Sequence, residues 1–210
     1  MKHLFLVVAA CWATAPFLFA QETAANGIYF GAISGIQFNR FNQQFAAEID
    51  PKIYSFSIGA GSAWTRNNYV VGFEFLYSSG NKGNGDGSIQ YIGFSNTLSF
   101  GYNLAVGRTW VIEPTIGVSL DDNQLIVQNK TNNVFQNLTN NQLSGIIGLN
   151  VKIVGANGLF NGLKIGYRRP FGGESQWKNT VDGAGSGLND SVSSFYVQIN
   201  LGGFLKLGGN

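Results

Sequence analysis

IQYIGFSNTLSFGYNLAVGRTWVIEPTIGVSL, residues 89–120, decides the fold. From Gln90 the residues alternate, and Ile92, Phe94, Asn96, Leu98, Phe100 and Tyr102 share its face. Tyr91, Gly93, Ser95, Thr97, Ser99 and Gly101 share the other. After a short turn over Leu104–Gly107, Trp110, Ile112, Pro114, Ile116, Val118 and Leu120 repeat the bulky face. Val111, Glu113, Thr115, Gly117 and Ser119 oppose them. A period of two is the signature of strands. One face is large and apolar; the other is small, polar or charged. A bulky face repeated along the whole chain is too large for the inside of one small barrel. It fits the outside of a barrel that faces lipid and is filled with polar groups.

The totals agree. The chain has 210 residues, the length of one domain, and only 11% of them are charged. Glycine (29) and phenylalanine (17) are abundant and methionine occurs once, a composition for strands rather than helices. A net charge of +2 without a basic stripe argues against a nucleic-acid partner.

Lys2 and His3 precede an apolar run, Leu4–Phe19, with a plausible cleavage point at Ala20. This predicts a cleaved signal peptide over 1–20 and a barrel domain over 21–210. Val8-Ala9-Ala10-Cys11 is an alternative lipidation motif, so cleavage and lipid attachment at Cys11 both stand open. Cys11 is the single cysteine and His3 the single histidine, and both fall within residues 1–20. A cleaved chain keeps neither, which removes disulfides, thiol chemistry and the usual zinc and copper ligands.

The same alternation gives strands near Asn26–Phe38, Lys52–Trp64 and Tyr69–Ser78, the hairpin above, then Gln142–Val154, Leu159–Arg169 and Val192–Leu207. Asn39–Pro51, Ser79–Ser88, Asp121–Asn141 and Pro170–Ser191 read as long polar loops, with the strand-like Leu125-Ile126-Val127 as an alternative extension of the strand before it. Arg66-Asn67-Asn68 and Gly155–Gly158 read as tight turns. About eight strands with alternating long and short connections predict an all-β, closed, antiparallel up-and-down transmembrane barrel. Trp64 and Tyr69 flank one short turn, and Tyr102 and Trp110 flank another, where an aromatic girdle meets the membrane interface. Pro114, and Gly162 beside the misplaced Phe160, predict bulges.

The last strand sharpens the reading. Asn200-Leu201-Gly202-Gly203-Phe204-Leu205-Lys206-Leu207 resembles the assembly signal of small eight-stranded outer-membrane barrels, the OmpX and OmpA-transmembrane-domain type. Asn200, Gly202, Leu205 and Leu207 match that pattern, and Gly208-Gly209-Asn210 depart from its usual aromatic end. The resemblance implies a Gram-negative outer-membrane location, contact with outer-membrane lipids, insertion by the barrel-assembly machinery and a monomer. It also implies that the peptidoglycan-binding half of OmpA is absent.

The inward parity carries Glu74, Glu113, Lys152, Lys164, Arg168 and Lys206. Charges inside a narrow barrel need partners or water, so a plugging ion-pair network is expected, with a narrow polar pathway as the functional alternative. Catalysis by Glu74 and Glu113 lacks a route to substrate. Similar membrane enzymes use a histidine, so no catalytic, cofactor or metal residues are assigned. Gly83–Gly87 lacks the acidic ligands of a calcium loop and the Lys-Ser/Thr of a nucleotide loop. Asn129-Lys130-Thr131 and Asn137-Leu138-Thr139 match glycosylation triads, a weak pattern. Phe135, Phe171 and Trp177 are expected to pack within their loops, with adhesive surface contacts as the alternative. The expected role is structural, surface-interactive or narrowly porin-like. The rival is a soluble secreted carrier of lipocalin shape, with its bulky parity turned inward around an apolar ligand.

Overall fold

The computed structural model describes residues 26–41, 52–84, 87–106, 110–129, 134–154, 159–172 and 175–207. The expected signal segment with Cys11, most of the 39–51 loop and residues 208–210 lie outside them. The strands are β1 (Gly27–Arg40), β2 (Lys52–Arg66), β3 (Tyr69–Asn84), β4 (Gly87–Tyr102), β5 (Leu104–Val106), β6 (Trp110–Asn129), β7 (Val134–Val154), β8 (Leu159–Pro170), β9 (Ser175–Asn179), β10 (Gly185–Asp190) and β11 (Ser193–Lys206). Eight of them close into one antiparallel ring, β1-β2-β3-β4-β6-β7-β8-β11, and β11 pairs back onto β1 from Gly27↔Lys206 to Arg40↔Ser193. Closure leaves no free edge in the ring.

The heavy side chains point outward. Phe94 and Ile116 are 41% and 47% exposed, while Glu113 and Lys164 are 4% and 2% exposed. Trp64, Tyr69, Phe73, Phe100, Trp110 and Leu201 join the exposed apolar face. A water-soluble carrier requires the opposite parity, so the lipocalin alternative fails on geometry. An apolar exterior around a polar interior is the arrangement of a transmembrane barrel.

The strands run well past the expected boundaries. Ser79–Asn84 and Gly87–Ser88 continue the β3–β4 ladder, and Asp121–Asn129 pairs with Val134–Gln142. The reason is a reversal of side-chain preference at the water line. Below it the apolar residues face out. Above it Ile53, Ile89, Leu125, Val127 and Leu138 are buried inside, while Gln90, Asp122 and Gln128 are exposed outside. The upper barrel follows the ordinary rule for a sheet in water. The last expected loop also contains a hairpin, β9–β10, whose Asn179 and Lys178 pair with Leu138 and Thr139 of β7.

Two backbone expectations need correction. The register of β6 runs unbroken through Pro114 on the β7 side, with Pro114 opposite Leu149, and toward β4 and β5 it is the same on either side of a gap, so there is no bulge. Instead the ladder to the preceding strand breaks at Tyr102–Asn103 and resumes as β5, opposite Ile112 and Trp110. The missing proline N–H falls in that gap. The Asn103 N–H donates to the Asn68 carbonyl at 2.7 Å instead. Thus the turn expected at Leu104–Gly107 begins later. Gly162 also sits in unbroken register. Phe160 keeps the inward parity and packs edge-on against Tyr29, centroids 5.2 Å apart. The Arg66–Tyr69 turn is as expected: Asn67 and Asn68 have φ of 50° and 69°, the left-handed pair of a two-residue hairpin.

Candidate functional site: a lumen sealed at two levels

Inward residues of the ring converge on a column of polar side chains. The Glu74 carboxylate of β3 meets the Lys164 ammonium of β8 at 2.5 Å, across the barrel. Glu113 near the start of β6 meets Lys152 near the end of β7, also at 2.5 Å. Higher up, Arg168 of β8 pairs with Asp121 of β6 at 3.1 Å. Asp121 also accepts hydrogen bonds from Ser119 (2.6 Å) and Ser144 (2.5 Å). Each of these six charges therefore has an opposite charge on another strand. That arrangement offsets much of the desolvation cost of a charge out of water. The two lysines also lie over tyrosine rings: Lys152 Nζ is 4.5 Å from the Tyr29 centroid and Lys164 Nζ 5.8 Å from that of Tyr196.

Glycines make the room. Gly61, Gly31 and Gly202 stand opposite one another on β2, β1 and β11. A Cβ on Gly31 or Gly202 would strike neighbouring backbone. This thin wall faces a cavity of about 50 Å³ reached by Glu74, Glu113, Lys152 and Lys164. Thr115 Oγ1, Asn150 Oδ1 and Asn200 Oδ1 on its lining have no hydrogen-bond partner among the described residues. A polar space of this size has the character of a hydrated cavity for a few waters.

Toward the long-loop end the filling turns apolar. Phe41, Ile53, Ile89, Tyr91, Leu125, Val127, Leu138, Trp177 and Val192 form one buried cluster. Trp177 comes from β9, so the last long connection folds back and inserts a fully buried indole over the barrel mouth. Beneath it the Tyr91 hydroxyl donates to Asn123 Oδ1 at 2.8 Å. Asn39 links Ser55 and Ser194. The lumen thus carries an ion-pair plug and, above it, an apolar cap.

Of the six inward charges, Glu74, Glu113, Lys152, Lys164 and Arg168 come together in these pairs. Lys206 does not join them: it is exposed at the end of β11, opposite Gly27 and past the last pair with β8. Asp121 was missed because it opens the polar run that reads as loop. Extending the parity of Glu113, Thr115, Gly117 and Ser119 by one step finds it. Trp64, Tyr69 and Trp110 are exposed at the short-turn end, and Tyr69 meets Tyr102 edge-on at 5.3 Å. In the last strand Asn200 is buried and Leu205 and Leu207 are exposed. The packing expected of the loop aromatics holds for Trp177 only; Phe135 and Phe171 are exposed. The Asn129 triad lies partly outside the described residues, and Asn137 Oδ1 accepts a hydrogen bond from Gln124 at 2.8 Å. Among the described residues no group of three histidine, cysteine or acidic side chains is placed to hold a metal ion.

No protein-family model matches the sequence, and no curated protein matches it. Solved structures do match. Neisserial surface protein A is 14% identical, covers 85% of this chain and 98% of its own, and superposes with a TM-score of 0.51. The fold is that of a small outer-membrane barrel. Other solved barrels superpose less well. The attachment invasion locus protein Ail of Yersinia pestis is 9% identical over 84% of this chain and 98% of its own, at 0.46. The outer-membrane protease OmpT of Escherichia coli is 8% identical over 89% and 98%, at 0.47. Likeness at this level speaks to architecture, not to role. With its lipid-facing exterior, the chain is an outer-membrane protein.

Proposed function

We propose that the chain is a non-conducting, non-catalytic outer-membrane barrel that acts through its long-loop end at the cell surface. The observation that carries this reading is the double seal. Three ion pairs fill the polar lumen and a buried indole caps it. An eight-stranded ring is narrow to begin with. Glu74 and Glu113 are each held by a lysine rather than facing one another as an acid–base couple. The surfaces left for work are the extended hairpins above the membrane, where Phe135, Phe171 and Val181 stand exposed.

On this reading the partners are outer-membrane lipids around the ring and the barrel-assembly machinery during insertion, and the barrel works as a monomer. The closer kinship with the OmpX and OmpA-transmembrane type belongs to the same proposal, supported by Asn200, Gly202, Leu205 and Leu207. Planar-bilayer recording of the purified, heat-modifiable barrel tests it. The wild type should be silent, and Glu74→Ala should stay silent because the cap remains. Sustained unitary current steps from the wild type would refute the reading.

A further inference from the structure

The outward face of β8, β11, β1 and β2 changes character in a single step near the long-loop end. Phe38 stands opposite Tyr54 on β2 and Phe195 on β11, and Phe195 stands opposite Tyr167 on β8. The rings touch: Phe38 and Tyr54 are 5.2 Å apart at 83°, and Phe38 and Phe195 are 5.9 Å apart. Below this aromatic shelf lie Phe56, Ile36, Val197 and Ile165, again opposite one another. One outward position above it the side chains become cationic. Arg40 stands opposite Lys52 and Ser193, and Arg169 follows Tyr167 on the same face of β8. A surface groove of about 290 Å³ runs between the two rows.

The height of this step fits a membrane boundary. The outward run from Ile28 to Phe38 covers about 33 Å of strand, or about 25 Å of vertical rise at the usual barrel tilt. That matches the apolar band of such barrels, so Arg40 lies at headgroup level. The long-loop end faces outward, which makes it the outer leaflet. Among the described residues, these four strands present no carboxylate on their outward face. The exposed Asp122 belongs to β6, away from this face.

We propose that this face binds a phosphorylated, multiply acylated lipid of the outer leaflet. Guanidinium groups suit phosphate oxygens because their planar donors engage two oxygens at once. Arg40 supplies that fork in the groove wall, and Arg169 supplies a second one on the same outward face, one position above the groove-lining Tyr167. The acyl chains then lie down the aromatic shelf onto the aliphatic rows. Four strands make a face about 14 Å across, wide enough for several chains side by side. A soluble phosphate compound would use the cations and leave the shelf idle; a neutral lipid would use the shelf and leave the cations idle. Both rows are explained together only by an anionic amphiphile.

The test uses the full barrel in phosphatidylcholine nanodiscs, with native mass spectrometry reading the lipid retained. Three probes separate the sources: diphosphoryl lipid A, the same lipid stripped of phosphate, and its phosphorylated disaccharide without chains. The wild type should retain diphosphoryl lipid A in preference to the other two. Each guanidinium removed should weaken retention about fivefold, so Arg40→Gln with Arg169→Gln should lose about 25-fold. Arg66→Gln removes the same charge at the opposite rim and should change nothing. Heat-modifiable migration confirms folding of each variant, and the single Arg40→Gln variant carries the test should the double one misfold. Equal retention by the arginine variants and wild type, or of the stripped lipid, overturns the proposal. So does binding of the chainless disaccharide as tight as that of the lipid.

Discussion

Removing the Glu74 carboxylate gives the most direct measure of how dry the lumen is. In Glu74→Ala the Lys164 ammonium, whose side chain is 3% exposed, loses its counter-charge. Breaking a buried pair from one side costs about 3–5 kcal/mol, since the charge left behind must shed its proton or draw in water. Lys164→Ala should fall at the low end of that range, because the Glu74 side chain is 15% exposed and can hydrate. Replacing both partners, Glu74→Leu with Lys164→Met, should return the barrel to within about 1 kcal/mol of wild type, since packed apolar groups replace a pair at little net cost. The assay is reversible urea unfolding in lipid vesicles, followed by heat-modifiable migration. A loss of about 3–5 kcal/mol is a large share of the 5–15 kcal/mol that holds a typical fold. The reasoning fails should Glu74→Ala cost less than about 1 kcal/mol, the value of a solvated surface pair. It fails equally should the double replacement be as unstable as the single one.

Three further outcomes bear on other parts of the structure. Ile116→Arg places a charge on the lipid face near the bilayer middle and should cost about 2–4 kcal/mol by the same unfolding assay; a neutral result would contradict the outward parity. Trp177→Ala should loosen the cap while the ring persists, read as faster proteolysis across 171–192 with unchanged heat-modifiable migration; unchanged cleavage would mean that the indole does not hold the cap shut. Pro114→Ala should restore a donor where the ladder is broken and gain about 0.5–1.5 kcal/mol, with a protected amide at position 114 in hydrogen exchange; a fast-exchanging amide there would place the gap's cause elsewhere.

The membrane-spanning half of the barrel was legible because lipid enforces a strict alternation. Phe94, Leu98 and Phe100 against Ser95, Thr97 and Ser99 admit one reading. The upper half was not legible by the same rule. Between Leu120 and Asp121 the barrel leaves the lipid, and from Leu125 onward the apolar residues have changed sides. A run such as Asp121–Gln124 then carries polar residues on both faces and looks like loop. That hid Asp121, and with it the third ion pair. The charged partners themselves could be named from parity, but their pairing could not, because Glu74 and Lys164 belong to strands distant in the ring. Trp177 was likewise invisible as a cap: its burial depends on a hairpin folding back over the mouth, and no local periodicity records that.

The seam between β1 and β11 has a kinetic consequence. Gly27 meets Lys206 and Arg40 meets Ser193, so the ring can shut only when nearly the whole described chain has been delivered. Pairings of such sequence separation form slowly. Until they form, two bare strand edges stand open to pairing with other chains. A chaperone that shields those edges in transit would therefore matter most at β1 and β11, and stalled or shortened products of this chain should aggregate through them.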